Sequence, residues 1–546
     1  MTRPPRRPHR ARMLAGALLA GLGLVLSVAL PASAANYQRI SGQGSSWAGL
    51  AMKQWTAEAK TQGVTVDYND NGSSTGRKAF ATRVDAHFAV SEIPYRGDTA
   101  DEKDNSYPDF AFGMLPVVAG GTSLMYHLPV NGQRYDDLKL SQDAAAQIFT
   151  GRITRWNDPA IAADNPGVNL PDQQITVVVR SEGSGATAQF TLWLLRQFPQ
   201  YYQELCAKTG GCTGNSATSY FPTANLPNFV GQNKSDGVTA FTVNTAYTIN
   251  YDEYAYALEK GFPVAQIKNA AGFYTIPTDS AVAVALTQAI INTDQSSENY
   301  LSQDLSNVYT YGDPRTYPLS AYSYMMVPNT TTNVFHEPHG ATLGYFLQHV
   351  LCSGQETMGT LGYSPLPMNL VLAAMDQARK IPGVDADTLA KLDAVKNSAL
   401  SADGSNPCNN PTFRPGDSPS HNILVDQAPF PAGCDDACQA PWRLAGTGVN
   451  NGPDFGGGTT TGGGGTTTTD DSTTTGTQVC DPDTGVCSND DMTTASGNVH
   501  PVSTVVAGQN GWGGPQTLMV LVALGAAALI IGPPVVSSVL GARRRP

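Results

Sequence analysis

The segment Val177-Val178-Val179-Arg180-Ser181-Glu182-Gly183-Ser184-Gly185-Ala186-Thr187 constrains this chain more than any other. An apolar β-branched run delivers an arginine into a Gly/Ser turn. The turn then opens the helical pattern Thr187-Ala188-Gln189-Phe190-Thr191-Leu192-Trp193-Leu194-Leu195. The first backbone N–H groups of a helix have no partner within it, and the helix dipole adds positive potential there. Small residues let an anion approach that backbone closely, and Arg180 adds a planar fork of donors. The combination is a design for binding an oxyanion.

The same logic occurs twice near the start of the chain. Gly42-Gln43-Gly44-Ser45-Ser46-Trp47 precedes a helical stretch over 48–60. Val64-Thr65-Val66-Asp67-Tyr68 reads as a strand. After it, Asn71-Gly72-Ser73-Ser74-Thr75-Gly76 leads into a second helix over 77–84. A single Gly/Ser turn is usually an ordinary turn or helix cap. Three of them, each before a helix and two after strands, favour a shared ligand.

Both ends of the chain address a membrane. Arg3, Arg6, Arg7, Arg10 and Arg12 precede an apolar run over 13–30 that ends in Ala32-Ser33-Ala34. This order reads as a signal peptide over 1–34, cleaved after Ala34, with an uncleaved anchor as the alternative. No cysteine follows the run, so lipid attachment there is not expected. At the other end 517–540 carries no charge and is followed by Arg543-Arg544-Arg545. About 20 apolar residues suffice to span a bilayer, and basic residues stay cytoplasmic. The expected arrangement is an exported body on the extracellular face, a transmembrane segment interrupted by Pro533 and Pro534, and a cytoplasmic tail at 541–546.

The formal charge of −12 becomes −17 without the five leader arginines, and −20 when the three tail arginines are also set aside. Such an acidic exported body disfavours nucleic acid or an anionic membrane surface as partner. A small anion is still compatible, because its site acts through local dipoles. Eight cysteines in an exported chain point to disulfides. Cys206 pairs locally with Cys212, and Cys480 with Cys487. The other four allow three pairings, of which Cys352–Cys408 with Cys434–Cys438 is favoured. Zinc at Cys434 and Cys438 is disfavoured by the oxidising compartment and the lack of a nearby histidine.

Residues 35–400 alternate strand-like and helical runs, enough chain for two α/β lobes. Residues 401–447 are rich in Pro, Asn, Asp and Cys and read as a small irregular extension. Residues 448–515 are mostly Gly, Thr, Ser and Asp, a composition that cannot bury a core and reads as a disordered stalk.

These residues carry a resemblance. Gly42–Trp47, Gly72–Gly76, Phe88-Ala89-Val90-Ser91-Glu92-Ile93-Pro94 and Arg180–Ala186 resemble the phosphate-binding proteins that deliver phosphate to ABC importers. Residues 148–161 (IFTGRITRWNDPAI) and 252–257 (DEYAYA) are also similar, so the match runs from about 38 to 380. The resemblance implies a two-lobed, periplasmic-binding-protein-like α/β fold of type 2 with a two-strand hinge near 123–126 and 317–323. Lobe 1 would comprise about 36–125 and 318–400, and lobe 2 about 126–317. It implies inorganic phosphate as ligand, an ABC permease as partner, no cofactor and no covalent chemistry. The implied contacts are Ser46, the Trp47 amide, Ser73, Arg180, Ser184 and the amides of Gly185 and Ala186. Glu92 would accept the ligand's proton, and Glu182 would orient Arg180. Three positions depart from the family: Glu stands for Asp at 92 and 182, and Ala186 replaces a hydroxyl residue. One methylene moves a carboxylate by about 1.5 Å, so the departures bear on affinity and selectivity rather than on fold.

Two other readings remain open at this level. The fold could serve a surface-anchored oxyanion receptor or adhesion protein without a transport role. Gly72-Ser73-Ser74-Thr75-Gly76 also fits the G-x-S-x-G nucleophile pattern, with Ser74 as nucleophile and His336 or His339 as base, although the pattern is short and common. Otherwise His336 and His339 read as structural, because they lack His-x-x-x-His spacing and Pro338 opposes a regular helix.

Overall fold

The computed structural model describes residues 37–434, apart from 402, 403, 407 and 432, together with two short strands further on. The expected leader, linker, membrane span and tail lie outside the described residues, as does Cys438, the expected partner of Cys434. In a separate unit, Thr459–Pro546, the strands Val479–Cys480 and Cys487–Ser488 pair antiparallel with Cys480 opposite Cys487, and their side chains are likewise outside the description. Among the described residues no helix is long and apolar enough to cross a membrane.

The chain opens with β1 (Ile40–Gly44), α1 (Gly49–Thr61), β2 (Val66–Asn69), α2 (Ser73–Ala81) and β3 (Phe88–Ser91). β1 lies between β2 and β3, parallel to both. Such parallel neighbours need crossover helices, and α1 and α2 supply them. Gly44 has φ +141°, and a Cβ there would stand 2.1 Å from the Val90 carbonyl oxygen. Only glycine lets the end of β1 turn this close to β3.

β4 (Phe112–Ser123) follows, and its run is buried almost throughout. Strands covered on both faces lose the alternation of polar and apolar residues. The chain then passes through Leu124 and Met125 into β5 (Tyr126–His127), which belongs to a different sheet. That second sheet is built around β6 (Thr176–Arg180), which leads into α3 (Gly185–Gln197). It also contains β7 (Phe229–Gln232), followed by α4 (Lys234–Asn244), and β8 (Thr248–Asn250). Its strand order is β7-β6-β8-β5.

One residue, Tyr251, separates β8 from β9 (Asp252–Glu253), which pairs with Ser123 and Thr122 of β4. So a strand within 126–317, the stretch read from sequence as the second lobe, joins the first sheet instead. Two acidic residues carry no strand-like pattern, and their placement depends on the partner strand. α5 (Tyr254–Lys260) continues from β9. Later, β10 (Ser320–Pro328) runs antiparallel to β4 and β3 and completes the six-stranded order β9-β4-β10-β3-β1-β2. The β10–β4 register slips between Ser323 and Tyr324, opposite Val118 and Pro116. Proline cannot donate to the ladder, and a bulge there re-aims the neighbouring side chain. α6 (Glu337–Leu351) and α7 (Met368–Ala378) cover this sheet, with α7 packed on β4. The result is a two-lobed α/β fold.

The Pro/Asn-rich extension packs back onto the body. Asn410 and Thr412 donate to the Leu366 carbonyl oxygen at 3.0 and 3.1 Å. Arg315 donates to the Val425 carbonyl oxygen and lies over the Phe430 ring. The disulfides Cys206–Cys212 and Cys352–Cys408 are both present, the second closing a separation of 56 residues between α6 and the extension. A loop of that size removes substantial chain entropy from the unfolded state. Replacing both cysteines, Cys352→Ser with Cys408→Ser, should therefore lower unfolding free energy by about 2–4 kcal/mol in denaturant titrations. A change under about 0.5 kcal/mol would show that non-covalent packing alone holds the extension.

Candidate functional site

Arg180, at the end of β6, is buried at the meeting of the two lobes. Its Nε donates to Glu182 Oε1 at 2.8 Å, and its NH2 contacts the same oxygen. Glu182 Oε2 in turn accepts the Lys234 amide at 3.0 Å. Asp252 Oδ2 lies 3.7 Å from the other guanidinium nitrogen. Burial works against the charge on Arg180, but the neighbouring Glu182 and Asp252 outweigh it and hold the group more firmly protonated than usual. Asp252 itself is pushed up to about 6, chiefly by burial, with Arg180 opposing the shift.

The guanidinium also reaches the opposite lobe. Arg180 NH2 donates to Ser46 Oγ at 2.5 Å. Ser46 Oγ also accepts the Ser235 amide at 3.0 Å and lies 2.9 Å from Ser235 Oγ, which donates to Asp252 Oδ1 at 2.9 Å. Ser46 stands just before α1, and Ser235 is the second residue of α4.

Three tyrosines set the backbone at 45–47. Tyr68, Tyr256 and Tyr363 hydroxyls donate to the carbonyl oxygens of Ser45, Ser46 and Trp47 at 2.7, 2.6 and 2.7 Å. A trans peptide turns its N–H opposite its C=O. Anchoring these carbonyls outward therefore aims the following amides, that of Trp47 among them, away from the tyrosines. The buried Trp47 ring is fixed by Nε1 donating to Thr122 Oγ1 at 3.2 Å.

The third contact region surrounds Glu92, which is buried just past β3. Ser73 donates to Oε2 at 2.9 Å and Ser323 to Oε1 at 3.0 Å, while Ser45 Oγ also donates to Oε1. The register slip in β10 thus falls on a residue that serves this carboxylate. Opposite, Ser184 caps α3 by accepting the Thr187 amide, and Gly185 and Ala186 form the first turn. A Cβ on Gly185 would stand 2.2 Å from Glu92 Oε2 and 2.9 Å from Ser73 Oγ. The lobe-1 carboxylate therefore abuts the lobe-2 turn so closely that no side chain fits between.

The structure brings Ser46, Ser73, Glu92, Arg180, Ser184, Gly185 and Ala186 into one buried cleft, with Trp47 beside Ser46 and Glu182 behind Arg180. Four helix starts meet there: α1 and α2 from one lobe, α3 and α4 from the other. Helix starts favour negative charge. Burial, reinforced by Asp252 and Glu92, pushes the Glu253 carboxyl well above the usual range. At the rim Lys53 faces Asp236 at 3.3 Å and Lys234 faces Asp70 at 2.9 Å, so ion pairs cross between the lobes.

Sequence reasoning missed Ser45, Ser235, Asp252 and Ser323. The local signal for Ser235 was a strand, a polar junction at Asn233 and a helix, with the nearby glycines, Gly231 and Gly237, lying in the strand and the helix rather than in the turn. Ser74 is buried, with its N–H donating to the Gly183 carbonyl oxygen at 3.1 Å and its Oγ accepting from Arg77 at 3.3 Å. His339, offered as its base, instead packs at 4.5 Å against the ring of His87, with His336 beside it. No group of His, Cys, Asp and Glu among the described residues is placed to hold a metal ion.

Comparison with known proteins gives the lineage of the chain. The model of the PBP superfamily domain matches residues 29–352, more than half of the chain. The phosphate-binding protein PstS 2 of Mycobacterium tuberculosis is 30% identical over 312 residues, covering 56% of this chain and 76% of the relative. The phosphate-binding protein PstS of Methanocaldococcus jannaschii is 29% identical over 322 residues, covering 58% and 79%. A solved phosphate-binding protein from Stenotrophomonas maltophilia aligns over 70% of this chain and 99% of its own, at 20% identity and a TM-score of 0.43. By the superfamily match and the mycobacterial likeness, the chain belongs to the PBP superfamily and, within it, to the PstS family of phosphate-binding proteins.

Proposed function

We propose that this protein captures inorganic phosphate outside the cytoplasm, between its two lobes, and hands it to an ABC-type permease for import. The observation that carries the reading is the contact of Arg180 with Ser46 across the lobes, at the meeting of four helix starts, in a chain whose relatives are phosphate-binding proteins. Ser46, the Trp47 amide, Ser73, Arg180, Ser184 and the amides of Gly185 and Ala186 donate to the phosphate oxygens. Glu92 accepts the proton that hydrogen phosphate carries, and Glu182 holds the guanidinium plane. Binding is the whole task of the site, and no bond in the ligand is broken.

Selectivity follows from the charge of Glu92. A protonated oxyanion donates to it, whereas sulfate would meet a carboxylate with no proton between them. Facing buried like charges cost several kcal/mol. The exported body is held at the cell surface by the apolar segment at 517–540, reached through the Gly/Thr-rich linker at 448–515, and its leader at 1–34 is removed on export.

Three experiments test this reading. Arg180→Ala should weaken phosphate binding more than about hundredfold by calorimetry, since at least two charge-assisted hydrogen bonds are lost. An unchanged affinity would remove Arg180 from the site. Glu92→Gln should narrow the phosphate-to-sulfate preference by about tenfold or more, because an amide also donates to sulfate. Equal preference in parent and variant would end the proton-acceptor role. Deleting 517–546 should release the folded body into the medium, and identical partitioning of truncated and full-length protein would refute the anchor.

A further inference from the structure

Behind the Gly/Ser turns lies a second polar network, built on residues outside the proposed phosphate contacts. Arg77 of α2 is fully buried. It donates to Glu102 at 2.9 Å, to Asn105 at 2.9 Å, to Ser91 at 2.7 Å and to Ser74 at 3.3 Å. All of these belong to the first lobe, and Glu102 and Asn105 come from the connection between β3 and β4. Glu102 has acceptor capacity left, and the second lobe fills it. Ser219 donates to Glu102 through its amide at 3.1 Å and through its hydroxyl at 2.6 Å. Next to it, Asp101 accepts the Thr213 amide at 2.7 Å together with the hydroxyls of Thr213 and Ser216. Tyr220 donates to Asp104 at 3.2 Å.

Two features give this contact a mechanical meaning. First, it is wired to both halves of the cleft. The Ser184 amide donates to the Ser219 carbonyl oxygen at 2.9 Å, so the residue that grips Glu102 also supports the lobe-2 turn. On the other side, Arg77 ties Glu102 to Ser74, beside Ser73. Second, the partners are asymmetric. The acids come from lobe 1, and the lobe-2 groups on Asp101 and Glu102 are neutral hydroxyls and amides. Opening the lobes therefore breaks no ion pair here, because Arg77 stays with Glu102. Water replaces neutral donors at modest cost, whereas stranding an unpaired buried charge is strongly unfavourable. The Cys206–Cys212 disulfide closes the chain immediately before Thr213 and holds the start of the gripping segment.

We propose that Asp101 and Glu102 form an interlobe latch, engaged by Thr213, Ser216 and Ser219, that sets how long the closed protein retains its anion. The latch rests on the phosphate-capture reading for its ligand, but its action is on closure rather than on contact with that ligand. Asp101, Glu102 and Ser219 are therefore positioning residues.

The test alters the lobe-2 side, since Glu102 variants would strand Arg77 and risk misfolding. Full-length protein carrying Ser219→Ala, and a triple variant adding Thr213→Val and Ser216→Ala, are compared with the parent by stopped-flow measurement of inorganic phosphate binding and release. Each lost charge-assisted bond should raise the release rate by about tenfold, with the association rate within about twofold. The melting temperature without phosphate should hold, while the upward shift caused by phosphate should shrink. A purely structural role would instead lower the melting temperature with and without phosphate alike. An unchanged release rate in the triple variant, with the parent binding phosphate normally, overturns the latch. If the parent takes up no phosphate, the capture reading falls, and the latch is judged by interlobe distances between spin labels. Longer distances in the triple variant then support it, and identical distances overturn it.

Discussion

The structure depends on keeping one buried guanidinium charged. An isolated cation buried at Arg180 would be costly, and the chain offsets this with two carboxylates on different elements. Glu182 lies two residues further along the same turn, so it fixes the fork locally. Asp252 arrives from β9, and this requires the chain to leave the second sheet at Tyr251 and join the first. The NH2 group that pairs with Glu182 is also the one that meets Ser46. Orientation, lobe crossing and interlobe contact are thus consequences of a single charge.

The turns around that charge were legible in the sequence because they are local. Gly/Ser clusters before helical patterns need only a few consecutive residues to declare themselves, and Ser46, Ser73, Arg180 and Ser184 all sit in such clusters. The large apolar strands were legible for a similar reason. Residues whose role is set by a distant partner were not. Ser323 serves Glu92 because β10 slips register opposite Pro116, which depends on the pairing of strands 200 residues apart in sequence. Tyr256 lies in a stretch singled out for its resemblance, yet its role, holding the Ser46 carbonyl, appears only when α5 packs beside α1. Asp252-Glu253, singled out only as part of a stretch with resemblance, becomes a strand through its pairing with β4.

The buried carboxyls divide into two kinds. Asp101 and Glu102 each collect several donors, as buried polar groups must. Asp252 and Glu253 are pressed toward their neutral forms by burial. The first kind binds one lobe to the other. The second kind lies at the crossing between sheets, where added negative charge would oppose an incoming anion. A proton on Glu253 reduces that repulsion without an additional cation, while Asp252, at about 6, keeps its charge beside Arg180 near neutral pH.

Glu92, read from the sequence as a departure from the resembled family's aspartate, sits in a matching surround. A longer side chain at this position projects its carboxylate further toward the opposing lobe. Three hydroxyls, from Ser45, Ser73 and Ser323, receive it there, each from a different segment of lobe 1. On the far side the opposing position is Gly185, which has no side chain to be displaced. The extra methylene is therefore taken up by a cradle of donors behind it and a bare backbone before it. Neither feature compensates alone, since hydroxyls without the glycine would leave the lobes sterically apart, and the glycine without hydroxyls would leave a buried carboxylate poorly solvated. If Glu92 sets selectivity as proposed, that selectivity is a property of both lobes in contact, decided when they close rather than by the identity of residue 92 alone.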